Sequence, residues 1–212
     1  ALPIFLGFLL FFILISLLWR FSSNRLNLPC PSWLGYLLEI ENPIAKITQS
    51  KNIIKHLNLK KGMLVLDIGC GPGRLTIPIA KKVGPKGNVT ALDMQIEMLE
   101  KTKRKAGQNN LQNIDFLNIN IENEKLDQNK YDRAILITVL GEIPKKQKAL
   151  NEIFKSLKPG GILLITESIF DPHFQTKKSV LKFIKETNFQ VKELIGNSFL
   201  AYTIILKKPL TD

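Results

Sequence analysis

Apolar and polar positions divide the chain into two unequal parts. Residues 2–19 carry no charged side chain and are almost wholly Leu, Ile and Phe. A helix of about 18 residues reaches roughly 27 Å, close to the hydrocarbon thickness of a bilayer. No face of that helix is polar, which argues against a surface helix of a soluble domain. The stretch therefore reads as a transmembrane anchor over residues 1–21, ended by Arg20. A cleavable signal peptide is the competing reading. It is disfavoured because no basic segment precedes the run and Ser22-Ser23-Asn24 matches a cleavage site poorly.

Residues 22–42 read as a juxtamembrane segment. Pro29 and Pro31 stop any continuing helix. Ser32 is placed to cap a short helix through Trp33, Leu34, Tyr36, Leu37 and Leu38, whose composition suits the membrane interface. Packing against the domain, or a lid over its site, are the alternatives.

From residue 43 short apolar runs alternate with amphipathic ones. Asn42-Pro43 opens a helix expected to reach residue 57. Strands are expected over 63–68, 88–92, 114–119, 133–139 and 162–166. Helices are expected from 77 to 83 and over 95–106, 145–157 and 176–187. A closing hairpin over 189–194 and 198–207 turns at Gly196-Asn197. Strands alternating with helices specify the α/β class, with a parallel sheet covered on both faces.

The densest signal is residues 65–76. A buried strand ends in Asp67-Ile68, three glycines follow at alternate positions (Gly69, Gly71, Gly73), and a helix begins. The glycines let the backbone turn sharply and approach a ligand, and the helix N-terminus offers free N–H groups there. A dinucleotide fingerprint needs its third glycine one residue later, where this chain has Arg74. Asp93 closes the second strand about twenty residues on, where an acid can accept from ribose hydroxyls.

Asp67-Ile68-Gly69-Cys70-Gly71-Pro72-Gly73 resembles the first motif of the class I methyltransferases that use S-adenosylmethionine. The resemblance covers residues 43–208. It implies a Rossmann-like, seven-stranded, mostly parallel sheet with an antiparallel last strand. In that family the loop wraps the methionine part of the cofactor, which assigns Asp67, Gly69, Cys70, Gly71 and Gly73 to cofactor binding. Asp93 then takes the ribose and Met94 lies near the adenine. Asn120, with Ile121 beside it, stands where relatives often carry an Asp for the adenine edge. Tyr131-Asp132 resembles the motif whose strand, here 133–139, delivers residues to the transferring methyl, and Thr138 at its end is assigned to the cofactor. The Leu157-Lys158-Pro159-Gly160-Gly161 run is a further family mark. Residues 43–212 are accordingly expected to form an S-adenosylmethionine-binding methyltransferase domain.

Many relatives carry aromatics or paired histidines after the fourth strand. This chain has Gly141-Glu142, and Glu142 can act as a base, hold a cationic substrate or cap the next helix. His173, in Phe170-Asp171-Pro172-His173-Phe174, is a second candidate base, or a loop histidine bonded to Asp171 or to backbone. His56 reads as a solvated residue near a helix end. Glu167 is expected on the same rim as Asp67 and Asp93.

The net charge of +12 invites a nucleic-acid partner. The lysines are dispersed, without a block or an aromatic platform, so none is expected. Attraction to an anionic leaflet accounts for the charge equally well. Cys30 and Cys70 lack metal-ligand spacing and read as free thiols, with no metal expected. Arg20 and Arg25 after the apolar run favour a single-pass protein with its domain on the cytoplasmic side. The reading is methyl transfer to a membrane-associated or lipophilic small molecule or lipid. A non-catalytic cofactor-binding scaffold or sensor is the alternative, and a nucleotide-dependent oxidoreductase is disfavoured by Arg74.

Overall fold

A computed structural model of the chain describes residues 30–123, 125–197 and 199–210, together with Gly7 and Ser22. The transmembrane anchor expected over 1–21 therefore lies, apart from Gly7, outside the described residues. Among those described, no helix is long and apolar enough to cross a membrane.

Seven strands form one sheet: β1 (Leu64–Ile68), β2 (Asn88–Asp93), β3 (Ile114–Asn118), β4 (Tyr131–Ile137), β5 (Leu157–Ser168), β6 (Gln190–Asn197) and β7 (Ala201–Lys207). The α-helices are α1 (Ser50–Leu57), α2 (Thr76–Val83), α3 (Ile96–Gln108), α4 (Lys146–Ser156) and α5 (Lys177–Lys185). Strand order is β3-β2-β1-β4-β5-β7-β6. The first five strands pair in parallel, and β7 runs antiparallel to β5 and β6. This is the expected Rossmann-like sheet. The chain builds outward from β1 to β3, then returns to lay β4 on the other side of β1. At such a reversal the connections leave opposite faces and open a crevice beyond the carboxyl ends of the strands.

Side chains alternate across the buried strands as the pleat requires. Val65 packs with Ile53, Leu57, Ile79, Val83 and Leu99 of α1, α2 and α3. Its neighbour Leu66 faces the opposite layer, with Leu150, Ile153, Val180 and Ile184 of α4 and α5. Both faces of β1 are thus covered, which explains its unbroken apolar run.

The structure corrects several local expectations. The helix expected from Asn42-Pro43 to residue 57 is interrupted. Asn42 Oδ1 accepts from the backbone N–H groups of Ile44 and Ala45 at 2.9 and 3.0 Å, making a local turn. A 3₁₀ turn, Lys46–Thr48, and an extended Gln49 follow before α1 begins at Ser50. The short helix expected from Ser32 is two separate 3₁₀ turns, Ser32–Leu34 and Leu37–Glu39. Gly196-Asn197 lies inside β6, opposite Tyr202 and Ala201, and the turn comes later. A Cβ on Gly196 would stand 2.7 Å from the Ala201 carbonyl, so this glycine permits a close strand approach. The Leu157–Gly161 run is the kinked beginning of β5, since Leu157 already pairs with Tyr131.

Two acids line neither of the cavities described below. Asp132 clasps the amino end of the sheet, accepting from the Leu64 N–H at 2.8 Å and pairing with Lys158 at 2.7 Å. Glu167 stands at the carboxyl end of β5 but lines neither cavity. It is 1% exposed, and its Oε2 accepts from the Gln175 N–H at 3.0 Å. Burial first, then the Asp171 and Glu142 charges, pushes its carboxyl from 4.5 to about 8, against the Gln175 bond and Lys146. The folded state therefore holds this proton between pH 4.5 and about 8. The stability it contributes is complete below that window and is lost as pH rises through it. Glu167→Gln, which keeps an acceptor for Gln175, is expected to match the parent in melting temperature at pH 4 and to exceed it at pH 9. Thermal unfolding across that range checks this, at on the order of 2–4 °C per kcal/mol recovered.

Candidate active site

The glycine loop is tied to the end of β2 at every step. Gly69 and Cys70 donate to the Leu92 carbonyl at 2.8 and 3.0 Å. Gly71 N–H donates to Asp93 Oδ2 and Gln95 N–H to Asp93 Oδ1, both at 2.9 Å. Thr102 Oγ1 donates to the Gly71 carbonyl at 2.8 Å. The three glycines have φ of 66°, 53° and 83°, the left-handed region that side chains disfavour. Their surroundings differ. A Cβ on Gly69 would stand 2.5 Å from Val139 Cγ2, and one on Gly73 2.8 Å from Thr102 Cγ2. A Cβ on Gly71 would meet only Leu38 Cδ1, at 3.8 Å, so this glycine opens toward the cavity. Gly73, assigned to cofactor binding by its place in the motif, does not line the cavity and serves helix packing instead.

Asp67 is buried and accepts from Thr76 Oγ1 at 2.6 Å, which fixes the start of α2. Burial pushes its carboxyl to about 6, against the pull of Thr76 and Arg74. Asp93 is raised too, chiefly by burial and against its backbone bonds.

A cavity of about 200 Å³ opens over this loop. Asp67, Gly69, Cys70, Gly71, Asp93, Met94, Asn120, Ile121, Thr138 and Glu142 all line it. Every other residue assigned to the cofactor from the sequence therefore converges here. Asn120 follows β3, and its Oδ1 accepts from the Glu122 N–H at 3.2 Å. Thr138 stands at the end of β4 with φ of 55°, a turn that re-aims the chain into a 3₁₀ turn, Leu140–Glu142.

Sequence reasoning left undecided what covers the cavity. Residues 30–49 form a strap over it. Gln95 Nε2 donates to the Cys30 carbonyl at 2.9 Å, and Lys101 Nζ donates to the Ser32 carbonyl. Lys105 pairs with Glu39 at 2.7 Å, and Arg74 with Glu41 at 3.5 Å while donating to the Thr48 carbonyl. Arg74, noticed only as a departure from the dinucleotide pattern, thus joins the glycine loop to the strap. The paired strap acids were its only signal in the sequence.

A second cavity, of about 270 Å³, adjoins the first and shares Cys30, Leu38, Arg74, Thr138, Glu142 and Asp171 with it. His173 lines this second cavity and is 3% exposed. Its Nδ1 is 3.6 Å from Glu142 Oε1 and 3.9 Å from Asp171 Oδ1, and its backbone N–H donates to Asp171 Oδ1 at 2.7 Å. The two residues picked as candidate bases are therefore neighbours. Burial, then the Asp171 charge, pushes Glu142 from 4.5 to about 8, against a bond from the Cys30 backbone. Burial lifts Cys30 to about 11 and raises Cys70 further, so both thiols stay protonated near neutrality.

A polar cradle at a strand end, beside a chamber holding a raised carboxyl and an imidazole, is arranged for group transfer between two ligands. The profile of the family described as Methyltransferase domain matches residues 59–207. The chain belongs to this methyltransferase family. A demethylmenaquinone methyltransferase of Staphylococcus epidermidis is 35% identical over 118 residues, 56% of this chain and 48% of that protein. The chain thus spans about half the length of the curated relatives it matches. Among solved structures, a SAM-dependent methyltransferase from Aquifex aeolicus has a TM-score of 0.74 at 22% identity, covering 84% of this chain and 99% of that one. The cyclase SpnF has a TM-score of 0.70 at 16% identity, covering 79% and 82%. At these identities the structural likeness establishes the fold.

The methyltransferase fold makes S-adenosylmethionine the group to test against the first cavity. The residues fit it. Gly71 leaves backbone open to the ligand, and Asp93 lines the cavity while its carboxylate accepts from the Gly71 and Gln95 N–H groups. Asn120 and Met94 complete a polar and apolar pair at the far end.

The methyltransferase site also depends on Gly141, where an added Cβ would collide with the His173 carbonyl. Gly141→Ala is therefore expected to push the His173 loop away from Glu142 and to cost about 1–3 kcal/mol. Chemical denaturation measures that loss.

Proposed function

We propose that the protein transfers a methyl group from S-adenosylmethionine to a lipophilic small molecule, with Glu142 as the proton acceptor. One observation carries this reading. The cofactor-type cavity and the Glu142–His173 cavity adjoin, with Thr138 and Glu142 lining both. A donor in the first and an acceptor in the second would meet at the junction, where alignment supplies most of the catalysis.

S-adenosylmethionine, when bound, supplies an electrophilic methyl carbon on a sulfonium, so the protein needs no strong nucleophile of its own. Asp93 and Asn120 hold and orient it, and the strap excludes water. Glu142 takes the proton from the acceptor atom that gains the methyl. That proton rests on the Glu142 carboxyl, whose Oε1 lies 3.6 Å from His173 Nδ1. Transfer from the bound cofactor would exchange its C–S bond for a bond to the acceptor atom, with S-adenosylhomocysteine as the second product.

Three features support a lipophilic acceptor: the uncharged run over 2–19, the apolar wall of the second cavity at Leu38, Ile40 and Phe170, and the likeness to demethylmenaquinone methyltransferases. We read the run as a single-pass anchor that holds the domain on the cytoplasmic face and raises the local concentration of membrane-borne acceptors. A non-catalytic scaffold would keep the first cavity and have no use for the raised Glu142 carboxyl.

Incubation of the full chain with methyl-labelled cofactor and a membrane lipid extract tests the reading. Label is expected in an organic-phase product, and its absence with a well-folded, cofactor-loaded protein would favour the scaffold. A base must be ionised, so kcat/KM is expected to climb with pH toward about 8. Glu142→Gln is expected to remove that limb and lower the rate about 100- to 10,000-fold.

A further inference from the structure

Large exposed apolar side chains line the two cavities and stand on the segments beside them. Met94 follows the carboxyl end of β2 and lines the first cavity. Ile40 and Phe170 line the second, one on the strap and one on the loop after β5. The Ile169 N–H donates to the Leu200 carbonyl at 2.8 Å, which sets Phe199 in the adjoining β6–β7 turn. Trp33 and Tyr36 stand on the outside of the strap. Trp33 is 72% exposed and Phe199 81%. These side chains come from four separate stretches of sequence. They meet at the carboxyl rim only because the sheet gathers those stretches there.

We propose that this rim docks on a lipid bilayer and seats the mouth of the second cavity against the acyl chains. A lipophilic acceptor then passes from hydrocarbon into the site without crossing water. The inference rests on the lipophilic acceptor proposed above and adds the surface through which it arrives.

Three observations select a bilayer as the occupant. The first is chain length. Residues 20–29 separate the uncharged run from the strap, and ten residues span at most about 33–36 Å fully extended. The second is residue type. Trp, Tyr and Phe beside aliphatic side chains make an interfacial surface, where rings lie between headgroup and acyl chain. The third is charge. The strap's two acids, Glu39 and Glu41, are paired with Lys105 and Arg74, and the net charge of +12 favours an anionic leaflet. The exposed Val191 and Leu194 lie apart from the rim, on the edge strand β6.

Tryptophan fluorescence tests the proposal without reading activity. The chain has two tryptophans, Trp19 and Trp33. Trp19→Phe leaves Trp33 to report the rim, and Trp33→Phe leaves Trp19 to report the anchor. Phe199→Trp in a background of Trp19→Phe and Trp33→Phe reports the far side of the rim. Phe170→Trp in that background is the substitute if the first disturbs the melting temperature. Each full-length variant is placed in mixed phosphatidylcholine and phosphatidylglycerol vesicles, with acyl chains brominated near the headgroup or unbrominated. Rings seated about 5–10 Å into the headgroup–acyl boundary are expected to lose about half their emission or more to bromine.

Quenching at both position 33 and position 199 supports the proposal. Equal emission in the two vesicle types at position 33, or at positions 199 and 170, overturns it. Quenching of Trp19 alone leaves the anchor standing and removes rim docking. Quenching at the rim without Trp19 removes the anchor and leaves docking. If instead Phe199→Asp dissociates a dimer and no rim position is quenched, the rim is an interface between copies and the proposal falls.

Discussion

The carboxylate of Asp93 is the interaction on which the site depends. Its two oxygens hold the Gly71 and Gln95 N–H groups and so fix the glycine loop against the end of β2. Thr102 closes the loop from α3, and Arg74 carries the arrangement on to the strap. One acid thereby couples the bottom of the cavity, the helix beside it and, through Gln95 and Cys30, the roof above it. The topology makes this possible. The reversal between β3 and β4 leaves the carboxyl ends of β1 and β4 uncovered, and the chain furnishes that gap with backbone donors and buried carboxyls.

The second cavity follows from a different local device. β4 ends at Thr138 in a left-handed conformation, which turns the chain so that Glu142 points back toward the crevice. Gly141 lets the His173 backbone pack against it, which carries the imidazole to the carboxylate. Burial and neighbouring negative charge raise Glu142 into the range where a carboxyl can exchange protons near neutrality. The cofactor-type cradle and the Glu142–His173 pair are thus held at the ends of strands in one sheet.

Much of this was legible in the sequence because period and punctuation are local signals. The run into Asp67, the alternating glycines and Asp93 closing the next strand mark the site in the sequence itself. Glu142 and His173 each stand out singly, and their proximity is not legible, because thirty intervening residues separate them. Local signals also misled where a long-range partner decided the outcome. Gly196-Asn197 has the composition of a turn, yet pairing with Tyr202 and Ala201 absorbs it into β6. Asn42-Pro43 has the form of a helix start, yet the Asn42 side chain closes a shorter turn and Glu41 meets the real start of α1 at Ser50. Gly73 belongs to the motif by spacing, while its neighbour Thr102 shows it to be a packing glycine. The strap was the least legible element, since what it covers is set by ion pairs to residues far along the chain.

The most direct test of the account is calorimetric titration of the full chain with S-adenosylmethionine, repeated on Asp93→Ala and Asp93→Asn. The parent is expected to bind one equivalent, with about tenfold or greater weakening in Asp93→Ala, corresponding to about 1.4 kcal/mol or more. Asp93→Asn, which keeps one acceptor oxygen, is expected to fall between them. A well-folded parent that takes up no cofactor, or variants that bind as tightly as the parent, would contradict the assignment of this cavity.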